Sequence, residues 1–147
     1  MREQIKIKII KKIKSEEVIS LYKEAGWWND EDEKDPNRVK KIIKNSLIFI
    51  GAFYNKQLVG IGRAISDKVS DAYIQDVVVS KNFRKKGIGK KLVLYILNYL
   101  KIKKINWIAL ISTPDSSEFY KKIGFENMEG FIPMIFKGNL LKEENDN

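Results

Sequence analysis

The residues best suited to chemistry lie in one stretch, Val77-Val78-Val79-Ser80-Lys81-Asn82-Phe83-Arg84-Lys85-Lys86-Gly87-Ile88-Gly89-Lys90-Lys91. A β-branched run ends in a basic, glycine-containing turn, which opens into an apolar-periodic segment from Leu92 to Leu100. Strand, loop and helix N-terminus in that order can hold a polyanion. The helix end offers N–H groups with no intrahelical acceptor and the positive end of its dipole. Gly87 and Gly89 let the backbone approach a ligand closely, and both are expected to take conformations closed to other residues. Lysine and arginine crowd the segment and no acidic residue interrupts it. The chemistry implied is the binding of phosphate groups, with a phosphorylated cofactor as the expected ligand.

Two common phosphate loops are excluded by spacing. A Walker A loop would need glycine at Arg84 and serine or threonine at Lys91. The dinucleotide fingerprint would need a third glycine at Leu92. What remains is Arg84-x-x-Gly87-x-Gly89 after a valine-rich strand. Further along stands Phe119-Tyr120-Lys121-Lys122-Ile123-Gly124-Phe125. Together the two segments resemble the acetyl-CoA loop and the C-terminal Phe-Tyr-x-x-x-Gly-Phe signature of the GCN5-related N-acetyltransferases, and the resemblance covers nearly the whole chain.

That resemblance carries expectations for the site. Acetyl-CoA would be the cosubstrate, with no metal. Backbone groups of Val77, Val78 and Val79 would pair with the pantetheine arm and polarise the thioester carbonyl. Arg84, Lys85, Lys86, Gly87, Ile88, Gly89 and Lys90 would hold the pyrophosphate, mostly through main-chain N–H groups, and Lys85 or Lys86 would reach the 3′-phosphate. Tyr120 would donate a proton to the departing thiolate, an ordering that suits a phenol with a pKa near ~10 and a thiol near ~8.5. Some family members carry a glutamate base where Tyr73 stands here, so the base is open between Asp76, Tyr73 and a water relay. Asp76 is the first choice, as base or as anchor for a cationic acceptor, because a carboxylate in mid-strand costs free energy unless it is paired or exposed. Thr113 and Ser116 replace the asparagine and alanine common before the tyrosine.

In the resembled family the loop between the first two helices helps form the acceptor pocket. Here that loop is Gly26-Trp27-Trp28-Asn29-Asp30-Glu31-Asp32-Glu33. Paired indoles beside carboxylates suit a cationic amine. The plainer alternative puts one tryptophan in the core and the acidic residues at the next helix's positive end. The leading function is an N-acetyltransferase acting on a primary amine. The alternative is a non-catalytic acetyl-CoA-binding regulatory module.

Composition narrows the classes. A chain of 147 residues with 44% hydrophobic content suffices for one folded domain, expected over 1–138, with a polar tail over 139–147. No apolar run approaches the length of a transmembrane helix, and the N-terminus lacks a signal-peptide core, so the cytoplasm is expected. Zero cysteines and zero histidines remove disulfides, thiolate chemistry and the commonest base and metal ligand. The net charge of +9 invites a nucleic-acid reading. The abundance of isoleucine, lysine and asparagine fits compositional drift, and no nucleic-acid motif stands out, so no such partner is expected.

The elements that must position these residues follow from periodicity. Ile5, Ile7 and Ile9 alternate with lysines as a strand, and Ser15 is placed to cap a helix ended by Gly26. Trp27 to Glu33 reads as loop, and Asp35-Pro36 as a helix start. Leu47 to Tyr54 and Leu58 to Ile65 form a hairpin about Asn55-Lys56-Gln57. Tyr73–Val79 is the central strand, 86–101 the following helix and Ile105–Ile111 the next strand. Asp115 and Glu118 have capping-box spacing, and Phe131–Phe136 is a last strand whose apolar face, with the family habit, points to a homodimer. The fold expected is α/β of mixed α+β type: a mixed, mostly antiparallel sheet with a splayed parallel pair, flanked by helices, as in the acyl-CoA N-acyltransferases.

Overall fold

The computed structural model describes residues 4–139. They divide into two units, 4–112 and 113–139, each described by itself.

The first unit carries a five-stranded sheet in sequence order: β1 (Ile5–Ile9), β2 (Ile48–Tyr54), β3 (Gln57–Ser66), β4 (Asp71–Val79) and β5 (Trp107–Ala109). The first three pairings are antiparallel and β4 with β5 is parallel. Helices α1 (Ser15–Glu24), α2 (Asp30–Glu33) and α3 (Arg38–Asn45) lie between β1 and β2, and α4 (Ile88–Ile102) links the parallel pair. On α1, Val18, Leu21 and Tyr22 are buried at helical spacing and pack with Val39 and Ile43 of α3 against Phe49, Leu58, Ile61 and Val78 of the sheet. The buried stripe Ile88, Leu92, Val93, Ile96 and Leu100 lets α4 pack on β1 to β4. The approach is close: a Cβ on Gly60 would lie 3.1 Å from Leu92 Cδ1.

Turn chemistry fixes the hairpin. Asn55 and Lys56 take φ of 48° and 69°, the two positive values of a type I′ turn whose twist suits flanking strands. Gln57 therefore belongs to β3, opposite Tyr54, rather than to the turn. At the β3–β4 connection the Asp67 carboxylate accepts N–H bonds from Val69, Ser70 and Asp71, which hold its carboxyl well below the usual carboxylate range.

Several element boundaries differ from those expected. Lys14, not Ser15, occupies the N-cap of α1, with no side-chain cap bond. The segment 27–33 is not all loop, because Asn29 and Asp32 form a capping box that starts α2. Asp35-Pro36 precedes α3 rather than opening it: Asp35 spends one oxygen on Asn37 N–H and the other on Lys41, and Asn37 becomes the N-cap. The strand expected over Ile105–Ile111 shortens to Trp107–Ala109, since Lys104 has φ 64° and Ile105 N–H closes back on Leu100 O.

In the second unit a 3-10 turn over Pro114–Ser116 leads into α5 (Ser117–Ile123). Asp115 and Glu118 form no capping box there. Ser116 is the N-cap with no side-chain cap bond, and Glu118 instead pairs with Lys121 at 3.5 Å. Gly124, at φ 126°, ends the helix. Phe131–Phe136 forms no strand and its side chains are exposed; among the described residues of this unit there is no strand for it to pair with. Of the expected polar tail, 140–147 lies outside the described residues.

Candidate active site

The strand β4 is irregular where the chemistry is expected. Gln75 pairs with Arg63 and Val78 with Ile61, so Asp76 and Val77 together oppose Gly62 in a β-bulge. Asp76 takes φ 56°, a left-handed conformation that aspartate tolerates better than most residues. On the other side, β4 pairs with β5 only at Asp71, Ala72 and Tyr73. From Ile74 to Val79 the parallel neighbour has ended, and the two chains part as a splayed pair must. Val77, Val78 and Val79 lie on the part of β4 that has no parallel partner, and the Val78 side chain is buried in the core.

Asp76 is paired. Its Oδ2 accepts from Arg63 Nε at 2.6 Å and from the Tyr22 hydroxyl at 3.0 Å. Burial, followed by the Asp76 charge, pushes the Tyr22 phenol well above its ordinary value. Tyr22 and Arg63 were not among the residues expected here. Their signal is in the sequence: an arginine within an apolar hairpin strand needs a buried partner, and a buried tyrosine needs an acceptor.

The raised phenol has a stability consequence. An unfolded Tyr22 ionises near pH ~10, whereas the folded one resists, so its contribution is present below about pH 10 and declines as pH rises further. Tyr22→Phe is expected to lower the thermal midpoint at pH 7, consistent with a lost bond to a charged acceptor worth about 1.5 kcal/mol. The gap from wild type should narrow as pH rises above about 10, and a gap that stays constant there would count against the Tyr22–Asp76 bond.

Around Tyr22 sits the aromatic loop. Trp28 stacks on its ring at 6.0 Å and Trp27 meets it tilted, also at 6.0 Å. Trp27 is exposed and Trp28 half-buried. Much of the neighbouring acidity is already engaged. The buried Asp32 carboxylate accepts from Asn29 N–H at 2.8 Å and pairs with Arg38 at 2.6 Å, Glu31 pairs with Lys34, and Glu33 accepts from the Trp28 indole N–H. The plainer reading holds for Asp32, Glu31 and Glu33, whose carboxylates are engaged locally, and the exposed indole of Trp27 stands beside them.

The basic loop follows β4 through a 3-10 turn, Lys81–Phe83. Arg84 Nε donates to Val79 O at 2.9 Å, folding the loop back on the strand end. Gly87 takes φ 82° at the N-cap of α4 and supplies no side-chain cap, leaving the first-turn N–H groups of Ile88, Gly89 and Lys90 for an outside acceptor. The second left-handed residue is Lys85, at φ 62°, and not Gly89, which lies in the first turn of α4. These two conformations delay the helix start from the expected 86 to 88. Lys86 Nζ sits 5.7 Å from the centre of the Phe83 ring. Exposed cations, a helix N-terminus without a side-chain cap and a left-handed glycine together fit a phosphate-bearing ligand.

Tyr120 belongs to the second unit, on α5. Phe119 and Phe125 meet its ring edge-on at 4.9 and 5.7 Å, and burial raises its phenol above the ordinary value. Thr113 Oγ1 donates to Ser116 Oγ at 3.1 Å, so the two hydroxyls standing for asparagine and alanine bond each other.

Comparison with known proteins bears on the fold and the family. A family model described as an acetyltransferase (GNAT) domain matches residues 31–131. An uncharacterized N-acetyltransferase, ycf52, of Pyropia yezoensis is 35% identical over 119 residues, 78% of this chain and 66% of that protein. The chain spans from 50% to 66% of the length of the curated relatives of this kind. Among solved structures, a GNAT-family acetyltransferase of Streptococcus pneumoniae superposes with a TM-score of 0.79 at 26% identity, covering 93% of this chain and 100% of its own. The aminoglycoside N-acetyltransferase AAC(6')-Iy, solved with a CoA-based bisubstrate analogue, does so at 0.71 and 19% identity, covering 92% and 99%. With the family model spanning residues 31–131 and a solved GNAT acetyltransferase superposing over 93% of this chain, the chain belongs to the GNAT acetyltransferase family.

Proposed function

We propose that the chain is an acetyl-CoA-dependent N-acetyltransferase that moves an acetyl group to a primary amine by direct attack in a ternary complex. The observation that carries this reading is β4: bulged at Asp76, free of its parallel neighbour beyond Tyr73, and running into the loop where Gly87 opens α4. The CoA-based bisubstrate analogue bound by AAC(6')-Iy supports the same class of ligands. The family match crosses from the first unit into the second, which supports treating 1–138 as one acetyltransferase domain.

Acetyl-CoA, when bound, would supply an activated acetyl thioester. The chain's own groups do the rest. N–H groups at Ile88, Gly89 and Lys90, with the cations of Arg84, Lys85 and Lys86, hold the pyrophosphate. Main-chain groups of Val77, Val78 and Val79 align the extended arm, and an N–H there faces the thioester oxygen, a fixed donor of the kind worth about 3 kcal/mol elsewhere. Tyr120 Oη gives its proton to the leaving sulfur. Asp76 acts through Oδ1, since Oδ2 already takes two donors. It either receives the amine proton or holds the cationic acceptor before it loses one, with Tyr73 or a water relay as the other route. The exposed indole of Trp27 and the ring of Trp28 border the acceptor pocket and favour a cationic, partly apolar amine.

A homodimer is the assembly we propose, supported by the exposed apolar segment Phe131–Phe136. The cytoplasm is the proposed compartment. Among the described residues no helix is long and apolar enough to cross a membrane.

The reading is tested by thiol release from acetyl-CoA across a panel of amines, with calorimetric binding of acetyl-CoA alongside. Amine-dependent release identifies the transferase and its acceptor class. Binding without release across the panel favours the regulatory module, and absence of binding overturns the cosubstrate.

A further inference from the structure

Glu24 sits in the last turn of α1, at the negative end of the helix dipole, where a carboxylate is disfavoured by about 0.3–1 kcal/mol. Among the described residues no cation lies within ion-pair distance of it. Its carboxylate instead takes two donors from a segment far away in sequence. Oε2 accepts from Ser80 Oγ at 3.0 Å and Oε1 from Lys81 N–H at 2.9 Å. Ser80 is the N-cap of the 3-10 turn Lys81–Phe83, yet its side chain makes no cap bond within that turn. Glu24 therefore caps the turn from another element.

That turn is where the basic loop is aimed. Ser80 N–H is tied to Val59 O at 2.8 Å, Phe83 N–H to Ser80 O at 2.9 Å, and Arg84 Nε to Val79 O at 2.9 Å. Lys85, Lys86 and Gly87 are exposed, and two of the three hold left-handed conformations. Their direction is set by the anchored turn before them and by Ile88, buried at the start of α4, after them. The same helix α1 carries Tyr22, bonded to Asp76 at the bulge. Tyr22 and Glu24 thus grip β4 at both ends of Val77–Val79, and α1 runs directly into Gly26-Trp27-Trp28.

We propose that Glu24 is a positioning residue that fixes the phosphate-binding loop through Ser80 and Lys81, so that cosubstrate affinity depends on it although it touches no cosubstrate. This rests on the acetyl-CoA reading above. Charge and position predict opposite signs. A carboxylate near a phosphate site repels the ligand, so on electrostatics alone its removal tightens binding. As a positioning residue, its removal loosens binding.

The test uses the full chain, with calorimetry of CoA and acetyl-CoA, and compares thiol release from acetyl-CoA with that from S-acetylpantetheine, which lacks the pyrophosphate. Glu24→Ala is expected to raise the Kd for both CoA ligands about tenfold, the scale of one lost charge-assisted contact. The KM for acetyl-CoA should rise with little change in kcat, and kcat/KM with S-acetylpantetheine should hold. Glu24→Gln, which keeps an acceptor for Lys81 N–H, should recover part of the affinity, and Ser80→Ala should lose less than Glu24→Ala. Equal or tighter CoA binding in Glu24→Ala overturns the proposal, as does an equal loss with both thioesters, which would mark a general loss of structure. Wild-type protein that binds no acetyl-CoA overturns the function and this inference together, whereas wild-type binding with an indifferent Glu24 removes only the inference.

Discussion

Tyr120→Phe is expected to lower kcat about a hundredfold while leaving the KM for acetyl-CoA within about threefold, the low end of what general acids contribute. The substitution removes one hydroxyl and keeps the ring. That ring is held edge-on by Phe119 and Phe125, contacts a phenylalanine would preserve, so the fold around α5 should survive. Burial pushes the phenol above its ordinary pKa, which keeps it protonated at neutral pH and ready to donate. The thiolate, with a conjugate acid of about 8.5, is a weaker base than the phenolate left behind, so the proton moves only because the C–S bond breaks beside a positioned donor and the thiol then leaves. Steady-state kinetics at saturating amine checks the split. Unchanged turnover would sink the assignment, and a matching collapse of thermal stability would reassign Tyr120 to packing.

Asp76 carries the second large effect, on stability and activity at once. Asp76→Ala removes the partner of Arg63 and the acceptor of Tyr22, and it places alanine at φ 56°. Losing a half-buried ion pair and forcing a left-handed alanine should together cost about 3 kcal/mol. Asp76→Asn is the gentler probe, because asparagine tolerates the left-handed conformation and keeps an oxygen for one donor. It is expected to lower kcat/KM at least about tenfold across the pH range, reflecting loss of the carboxylate that receives the proton or holds the amine. Denaturant melts of both variants beside pH–rate profiles of Asp76→Asn make the check. An undiminished kcat/KM would remove Asp76 from both catalytic roles and leave it as the brace of the bulge.

The sequence made the site legible where function depends on local backbone rules. A left-handed glycine before an apolar-periodic helix, and an asparagine opening a turn between two apolar runs, are written in residue types suited to those conformations, although Lys56 at φ 69° is not. Gly87 and the hairpin were therefore readable. The rest depended on partners distant in the chain. Nothing local marks Asp76 as left-handed, because the bulge exists only against Gly62 of the neighbouring strand. Asp35-Pro36 reads as a helix start by type, yet the aspartate's oxygens go to Asn37 and Lys41 and the helix begins later. Asn29 and Asp32 hid a capping box inside an acidic run. Phe131–Phe136 has the apolar character of a strand, but a strand requires a neighbour's hydrogen bonds, which composition does not supply. Glu24 was invisible for the same reason, since its role is defined by Ser80 and Lys81.

The early end of β5 has a consequence for solvent exchange. Up to Tyr73, β4 is flanked on both sides, so its amides are shielded by β3 and by Trp107–Ala109. Beyond Tyr73, among the described residues of the first unit, no strand pairs with that side of β4, so an inner strand becomes an edge strand partway along its length. Amide deuteration should therefore change character along a single strand: slow through Ala72 and Tyr73, then quick at those amides of Ile74–Val79 that do not point toward β3. An extended ligand arm lying there would act as the missing strand, and the quick amides should become slow when acetyl-CoA is added. The protein would then be reporting its own occupancy, residue by residue, without a chemical step having taken place.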